Sequence, residues 1–280
     1  MIIFKTVASL STFLNDQKNK QITIGFVPTM GALHDGHLFL IAECKKATQL
    51  TICSIFVNPT QFNDKTDFEK YPSKTEDDIA LLHRAGCDVL FLPSPEEIYP
   101  EGIPLLHYKL GRIETLLEGK YRPGHFQGVC QVVHRLLSII QPSQLLMGQK
   151  DYQQCMVVRT LLEITGINTK LVICPTIRES SGLAMSSRNM RLSEQDQIFA
   201  TSIYQSLLFA KEQIATISFT ALKTQITEKL FAHGFSSIDY IAVCNAITLE
   251  ELTYWDPATP AVILIAAFIN GVRLIDNMLL

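Results

Sequence analysis

Up to Pro175 the chain alternates short apolar runs with stretches of helical periodicity, and this alternation narrows the fold more than any other feature. ITIGFVPT (Ile22–Thr29), LTICSIFVN (Leu50–Asn58), DVLFLP (Asp88–Pro93), LLMG (Leu145–Gly148) and LVICP (Leu171–Pro175) read as buried strands. Between the first two lies a helix from about His37 to Ala47, with Leu38, Ile41 and Cys44 on one face. Strand, helix and strand at that spacing make a right-handed βαβ unit. SKTE (Ser73–Glu76) is a capping box opening a helix that turns Ile79, Leu82 and Ala85 inward and stops at Gly86. Further helices cover about Gln127–Ile140, ended by Pro142, and Asp151–Thr165, closed by Gly166. The expectation is an α/β fold with a mostly parallel sheet.

The pattern then changes. Ser193–Gln197 caps a helix reaching about Lys211, a second helix spans about Thr220–His233, and three strands follow, IDYIAV, AVILIAAFI and VRLID. Asn270-Gly271 joins the last two as a two-residue hairpin. This is a smaller α+β unit, which places a domain boundary near Thr176 and divides the chain into 1–176 and 177–280.

A hydrophobic content of 47% is ample for a core, and a net charge of −3 gives no basic surplus for nucleic acid or a membrane surface. The seven cysteines form no CxxC pair and fall mostly in apolar runs, as free thiols of a reducing compartment do. The first twenty residues are too polar for a secretory leader, and AVILIAAFI is far too short to span a membrane. A soluble cytoplasmic protein is expected.

Ligands of open parallel sheets bind beyond the carboxyl ends of the strands, beside helix N-termini. Four polar stretches begin at such ends: TMGALHDGH, NPTQF, GQKDYQQ and PTIRESSGLAMSSRN. In the first, Gly31 and Ala32 allow close approach to the backbone, and Gly36 keeps the surface flat between His34 and His37. Imidazoles near a helix start can donate to phosphate oxygens; two satisfied surface histidines, or an HxxH metal site, are the competing readings. Hydroxyls and guanidinium in Met185–Asn189, with Arg178, suit a polyphosphate or a plain polar linker. Lys150 at a helix start is a point charge for phosphate or half of a solvated pair with Asp151. Asp77, in the first turn of its helix, either complements the macrodipole or binds magnesium. Asn58 and Gln61 offer amides that suit a hydroxy acid. Arg122, His125 and Gln127 meet an anion or punctuate a helix start.

Taken together, VPTMGALHDGHLFLI, IFVNPTQFN, DFEKYPSKTEDD, GKYRPGHFQGV, GQKDYQQ and PTIRESSGLAMSSRN resemble, in order and spacing, the signature segments of the pantoate–β-alanine ligase family. The resemblance runs from about residue 20 to residue 192. It places the chain in the HxGH nucleotidyltransferase group, related in site design to class I aminoacyl-tRNA synthetases. It implies a Rossmann-like parallel-sheet N-terminal domain, a smaller α+β C-terminal lid and a homodimer. The reaction implied is activation of pantoate by ATP, with Mg²⁺, to pantoyl adenylate and pyrophosphate, followed by displacement of AMP by β-alanine.

By the same resemblance His34 and His37 would contact the ATP phosphates, His37 being the family's proton donor. The rest of the run Met30, Gly31, Ala32, Leu33, Asp35 and Gly36 would hold the nucleotide, with Pro28 and Thr29 lining the pocket shared with pantoate. Gln61 and Gln154 would hold pantoate, assisted by Asn58. Gly148, Gln149, Lys150 and Asp151 match the family's GxKD segment, lysine on phosphate and aspartate on the nucleotide. Ile177 stands where a valine's backbone meets adenine, and Met185, Ser186, Ser187 and Arg188 match the loop that closes over the phosphates. Asp77 would contact magnesium. Many members have glutamate where this chain has Gln149, and Phe39 and Thr60 also depart from the commonest residues. Two other readings compete: a nucleotidyltransferase that releases its nucleotidylated product, and a nucleotide-binding regulatory module without catalysis. AMP release that depends on β-alanine separates the ligase from both.

Overall fold

A computed structural model describes residues 1–61, 74–102 and 104–280. Ser73, and with it the expected SKTE capping box, lies outside these residues, as does most of the loop after Gln61.

The N-terminal part is built on six parallel strands in the order β1-β4-β3-β2-β5-β6. These are β1 (Ile2–Phe4), β2 (Ile24–Thr29), β3 (Leu50–Ile55), β4 (Val89–Phe91), β5 (Gln144–Gly148) and β6 (Lys170–Cys174). The five strands read from the sequence are all present. β1 is an addition: three residues that extend the sheet beyond β4, followed by helix α1 (Val7–Asn19), whose Thr6 cap accepts from the Ser9 amide.

The connecting helices are α2 (Asp35–Ala47), α3 (Thr75–Arg84), the single turns α4 (Pro95–Ile98) and α5 (Glu118–Tyr121), and the long α6 (His125–Ile140) and α7 (Tyr152–Thr165). α2 sits so close to β2 that a Cβ on Gly25 would lie 2.3 Å from Cys44 Sγ. α6 buries Val129, Val132, Val133, Leu136 and Ile140 at helical spacing, as its sequence requires. The strand order reverses between β2 and β5, which share only the pairs Gly25–Gln144 and Phe26–Leu145. Their carboxyl ends therefore diverge and open a crevice at the topological switch point.

Helices α8 (Glu194–Gln213) and α9 (Phe219–Ala232) precede an antiparallel sheet of β7 (Ser237–Asn245), β8 (Ala261–Ile269) and β9 (Val272–Leu279). Ser193 and Asp196 form the capping box of α8. The hairpin of β8 and β9 turns on Asn270 and Gly271, both at positive φ (45° and 74°), as its Asn-Gly pair demands. β8 is apolar throughout because it is covered on both faces. Val262 and Leu264 join the core of the parallel sheet, while Ile263, Ile265 and Ala267 pack with α8 and α9. All seven cysteines are buried free thiols. Among the described residues no helix is long and apolar enough to cross a membrane.

Candidate active site

The crevice holds a cavity of about 250 Å³ lined by the ends of β2 and β5, the start of α2, one face of α6, the 175–188 loop and β9. An adjoining cleft of about 490 Å³ shares Glu118, Arg122, Lys150, Asp151, Ser186 and Arg188 with it.

His34 and His37 stand at its mouth as the N-cap and third residue of α2, two residues nearer the N-terminus than the expected helix start. They form an imidazole capping box. His34 Nδ1 accepts from the Gly36 amide at 3.2 Å, and His37 Nδ1 accepts from the His34 amide at 3.4 Å. An imidazole whose Nδ1 accepts carries its hydrogen on Nε2 when neutral. Burial, then the Lys150 charge, lowers the His34 pKa to about 4. Burial, His34 and Lys150 lower that of His37 to about 3. The site thus offers two neutral Nε2–H donors, on rings 4.1 Å apart. Gly36 is required between them, since a Cβ there would lie 2.9 Å from the His34 ring.

The loop before α2 is held by the last residue of the acidic run Glu76–Asp78, a residue for which the sequence suggests only a helix-dipole role. Asp78 of α3, 2 % exposed, accepts from the amides of Ala32 and Leu33 at 2.9 and 2.8 Å. This clamp holds Gly31 and Ala32 in left-handed backbone, at φ 83° and 49°. It also occupies the amides that the sequence offered to an anion, so donation to a ligand passes to the imidazole Nε2 atoms. Its neighbour Asp77 is exposed on α3 and does not line the cavity, and the described residues contain no cluster of three His, Cys, Asp or Glu that could hold a metal. The expected role of Asp77 as a magnesium contact does not fit this placement.

Gly148, Lys150 and Asp151 line the cavity at the end of β5, and Gln154 follows on α7. Gln149 does not, because its side chain turns back to Asn277 of β9 at 3.2 Å. Pro28, Thr29 and Met30 line the cavity from β2, while Gly31, Ala32, Leu33 and Asp35 form the turn behind it. Gln61 faces in, with Oε1 accepting from Asn58 (3.2 Å) and Nε2 against Met30 Sδ (2.8 Å). Asn58 itself is fully buried. Its amide donates to Gly128 O, and its Oδ1 accepts from Tyr99 and Thr60, so it orients Gln61 and does not reach the cavity.

Arg122 and His125 both line the cavity. His125 Nδ1 donates to Gln61 O at 2.8 Å, leaving Nε2 to accept from Arg122 at 3.1 Å. Burial and the Arg122 charge lower its pKa to about 4. Gln127 serves structure, bonding Tyr108 and Glu114. Beside Gln61, which packs against the same helix at Gly128, Val129, Val132, Val133 and Leu136 of α6 make an apolar wall with Leu40, Phe56 and Met147.

Ile177, Met185, Ser186, Ser187 and Arg188 close the far side, Met185 N bonding Ile177 O. Arg178 does not line the cavity; it chelates Asp276 at 2.5 and 3.0 Å and stacks on Tyr204. Tyr240, Leu264, Ile275, Asp276 and Asn277 also line the cavity, from strands that local sequence reading identified only as a small sheet. Glu118 was missed too. It lies one residue before the motif GKYRPGHFQGV and accepts from the two terminal guanidinium nitrogens of Arg273 at 2.8 and 2.7 Å.

A sequence model of the family described as "Pantoate-beta-alanine ligase" matches residues 2–279. The pantothenate synthetase of Cytophaga hutchinsonii is 43% identical over 282 residues, covering 100% of this chain and 99% of that protein. The one from Caldicellulosiruptor bescii is 38% identical, with 99% and 98% covered. Among solved structures, the pantothenate synthetase of Thermus thermophilus superimposes with a TM-score of 0.91 at 40% identity, with 99% of both chains covered. The ligase of Francisella tularensis, "Complexed with Beta-gamma ATP and Beta-alanine", gives 0.82 at 40% identity, with 100% and 97% covered. With its whole length matched by model, sequence and fold, the chain belongs to the pantoate–β-alanine ligase family.

Proposed function

We propose that this cavity is where the chain carries out the family's reaction, and that the residues lining it take the following roles. A pantoate carboxylate oxygen attacks the α-phosphorus of ATP. The bond to the β-phosphate oxygen breaks, and pyrophosphate leaves. The β-alanine amine, having lost the proton of its ammonium form, then attacks the pantoyl carbonyl carbon; the bond from that carbon to the phosphate oxygen breaks, AMP leaves with the electron pair, and the nitrogen gives up one further proton to solvent as the amide forms.

The observation that carries this reading is that two neutral imidazole donors line one cavity together with Lys150, whose charge acts on both, an apolar wall and the Gln61 amide. Attack at phosphorus needs positioning and charge stabilisation more than proton transfer. His34 and His37 donate to phosphate oxygens as neutral Nε2–H groups, a role that suits them better than acid catalysis by a preformed imidazolium. Lys150 and Arg188 supply charge, and Asp151 and the backbone near Ile177 hold the nucleoside. Gln61 and Gln154 take the polar groups of pantoate, whose branched carbon skeleton lies on Val129, Val132, Val133 and Leu136. Ser186 and Ser187 complete the phosphate side, in a loop that keeps water from the labile adenylate.

Magnesium enters in this reading as part of the substrate, bound to the phosphates of ATP and to water, and no step rests on a protein-held ion. Residues 1–176 form the nucleotide- and pantoate-binding domain and 177–280 the lid, in a cytoplasmic homodimer.

The test is pantoate-dependent exchange of labelled pyrophosphate into ATP with Mg²⁺ and no β-alanine. Exchange that requires pantoate, with AMP release only after β-alanine is added, is the expected outcome. H37A should reduce exchange about 100-fold or more, on the scale of a lost oxyanion donor, while the protein stays folded and loses only the stability of one helix-cap bond. Exchange without pantoate, or an H37A rate equal to wild type, overturns the assignment.

A further inference from the structure

Asn277 lies on β9 and is 2 % exposed. Both hydrogens of its amide are spent on main-chain carbonyls of one turn: Nδ2 donates to Gln149 O and to Lys150 O, each at 2.9 Å. Its Oδ1 accepts from Gln149 Nε2 at 3.2 Å. Three bonds thus tie a single C-terminal side chain to the turn Gln149–Asp151 that carries Lys150 into the cavity. The strand is itself anchored beside that point. The main-chain N–H of Asn277 donates to Asp276 Oδ1 at 2.8 Å, and the Asp276 carboxylate chelates Arg178 at the root of the 175–188 loop.

We propose that Asn277 is a positioning residue for Lys150, fixing the backbone from which the lysine reaches the phosphates. The proposal rests on the reading of Lys150 given above. The chemistry of the pairing is specific. Two carbonyls on adjacent residues need two donors from one side, and a planar amide supplies both while its oxygen takes the Gln149 hydrogen. Alanine supplies neither donor and leaves two partly buried carbonyls to find other partners, at a cost comparable to a lost hydrogen bond each. The turn would then relax by a fraction of an ångström, which is enough to misplace a charge aimed at a reacting group.

A residue that only stabilised the fold would lower stability without caring whether Lys150 is present. The experiment is therefore a double-mutant cycle on the pantoate-dependent exchange, using wild type, N277A, K150A and the double variant, with melting temperature and pantoate affinity measured for each. N277A is expected to slow exchange about tenfold or more, through kcat and the KM for ATP, while pantoate affinity without ATP changes less than about twofold. In the K150A background the same substitution should cost less than about twofold. N277S, which keeps one donor, should fall between wild type and N277A, and it carries the cycle should N277A not fold. An N277 variant that is folded and within about twofold of wild type overturns the proposal, as do losses that simply multiply with those of K150A. A K150A rate equal to wild type overturns the Lys150 reading and the Asn277 proposal with it. A large K150A loss combined with a multiplicative N277A loss removes only the latter.

Discussion

His34, His37 and His125 are neutral in the folded chain because burial outweighs everything that would charge them, with pKa values lowered to about 4, 3 and 4. In the unfolded chain each returns to about 6.5. Between pH 6.5 and 4 the unfolded state therefore binds more protons than the native one, so stability rises with pH across that window and is lost as pH falls through it. His125 is the cleanest probe, being buried with both ring nitrogens bonded. Urea unfolding of wild type should show stability falling from pH 7 to pH 4.5, with His125 contributing up to about 1.4 kcal/mol per pH unit below 6.5. H125N keeps a donor where Nδ1 was and removes the titration, so its slope should be shallower by that share. Equal slopes in the two proteins would mean that His125 protonates freely in the native state. The sequence could place these histidines in polar turns, because a turn after a strand is a local feature. It could not give their charge state, which depends first on burial by distant parts of the chain and, for His34 and His37, on Lys150, brought in by another element.

Helix α6 does two jobs, and Gly128 is where they meet. The helix lies so close to the turn after β3 that a Cβ at Gly128 would fall 2.3 Å from Thr60 O and 2.7 Å from Gln61 Cα, both main-chain atoms. The same approach lets Gly128 O accept from Asn58, which in turn orients the Gln61 amide. G128A should therefore cost about 1–3 kcal/mol by overpacking and also raise the KM for pantoate, because Gln61 must move with its backbone. Stability lost with an unchanged KM would separate the packing from the site. Elements with a strong local period were legible in the sequence, α6 through Val129, Val132, Val133, Leu136 and Ile140, and β2, β3, β5 and β6 through their apolar runs. β1 and α1 were not, since three residues at a sheet edge carry no period and α1 buries only Leu10 and Leu14. Asn58 was legible as a residue of the site but not as one that acts behind Gln61, because its partners Tyr99 and Gly128 are distant in the chain.

Across the whole molecule the two sheets share a core and an ion cluster, and the cluster is the part a single substitution can break. Ala242, Cys244, Val262 and Leu264 belong to the same apolar cluster as Phe126 and Val133, so the C-terminal sheet packs directly on the parallel-sheet unit. At the edge of that contact Glu118 receives Arg273 through two nitrogens and the Tyr240 hydroxyl at 2.6 Å, while Arg273 Nε bonds Asp239 at 2.7 Å. Burial works against the charge on Glu118, and the hydrogen bonds and charges of Arg273, Tyr240 and Arg122 outweigh it and hold the carboxyl below its usual range. Leu117, just before it, sits at φ 45° and ψ −118°, an unfavourable backbone for a branched residue that the surrounding contacts must hold. R273M keeps the aliphatic volume but strands a buried carboxylate, so a loss of about 3–5 kcal/mol is expected in urea unfolding. E118Q/R273M removes both charges of this pair and should regain the share due to Glu118, since a buried pair is worth far less as a whole than either half is alone, while Asp239 stays without its Arg273 bond. Because Glu118 also lies 3.8 Å from Arg122 on the cavity wall, R273M should slow pyrophosphate exchange even at temperatures where it is fully folded. A loss below about 1 kcal/mol would place the pair among solvent-screened surface bridges and leave the apolar cluster alone to join the two sheets.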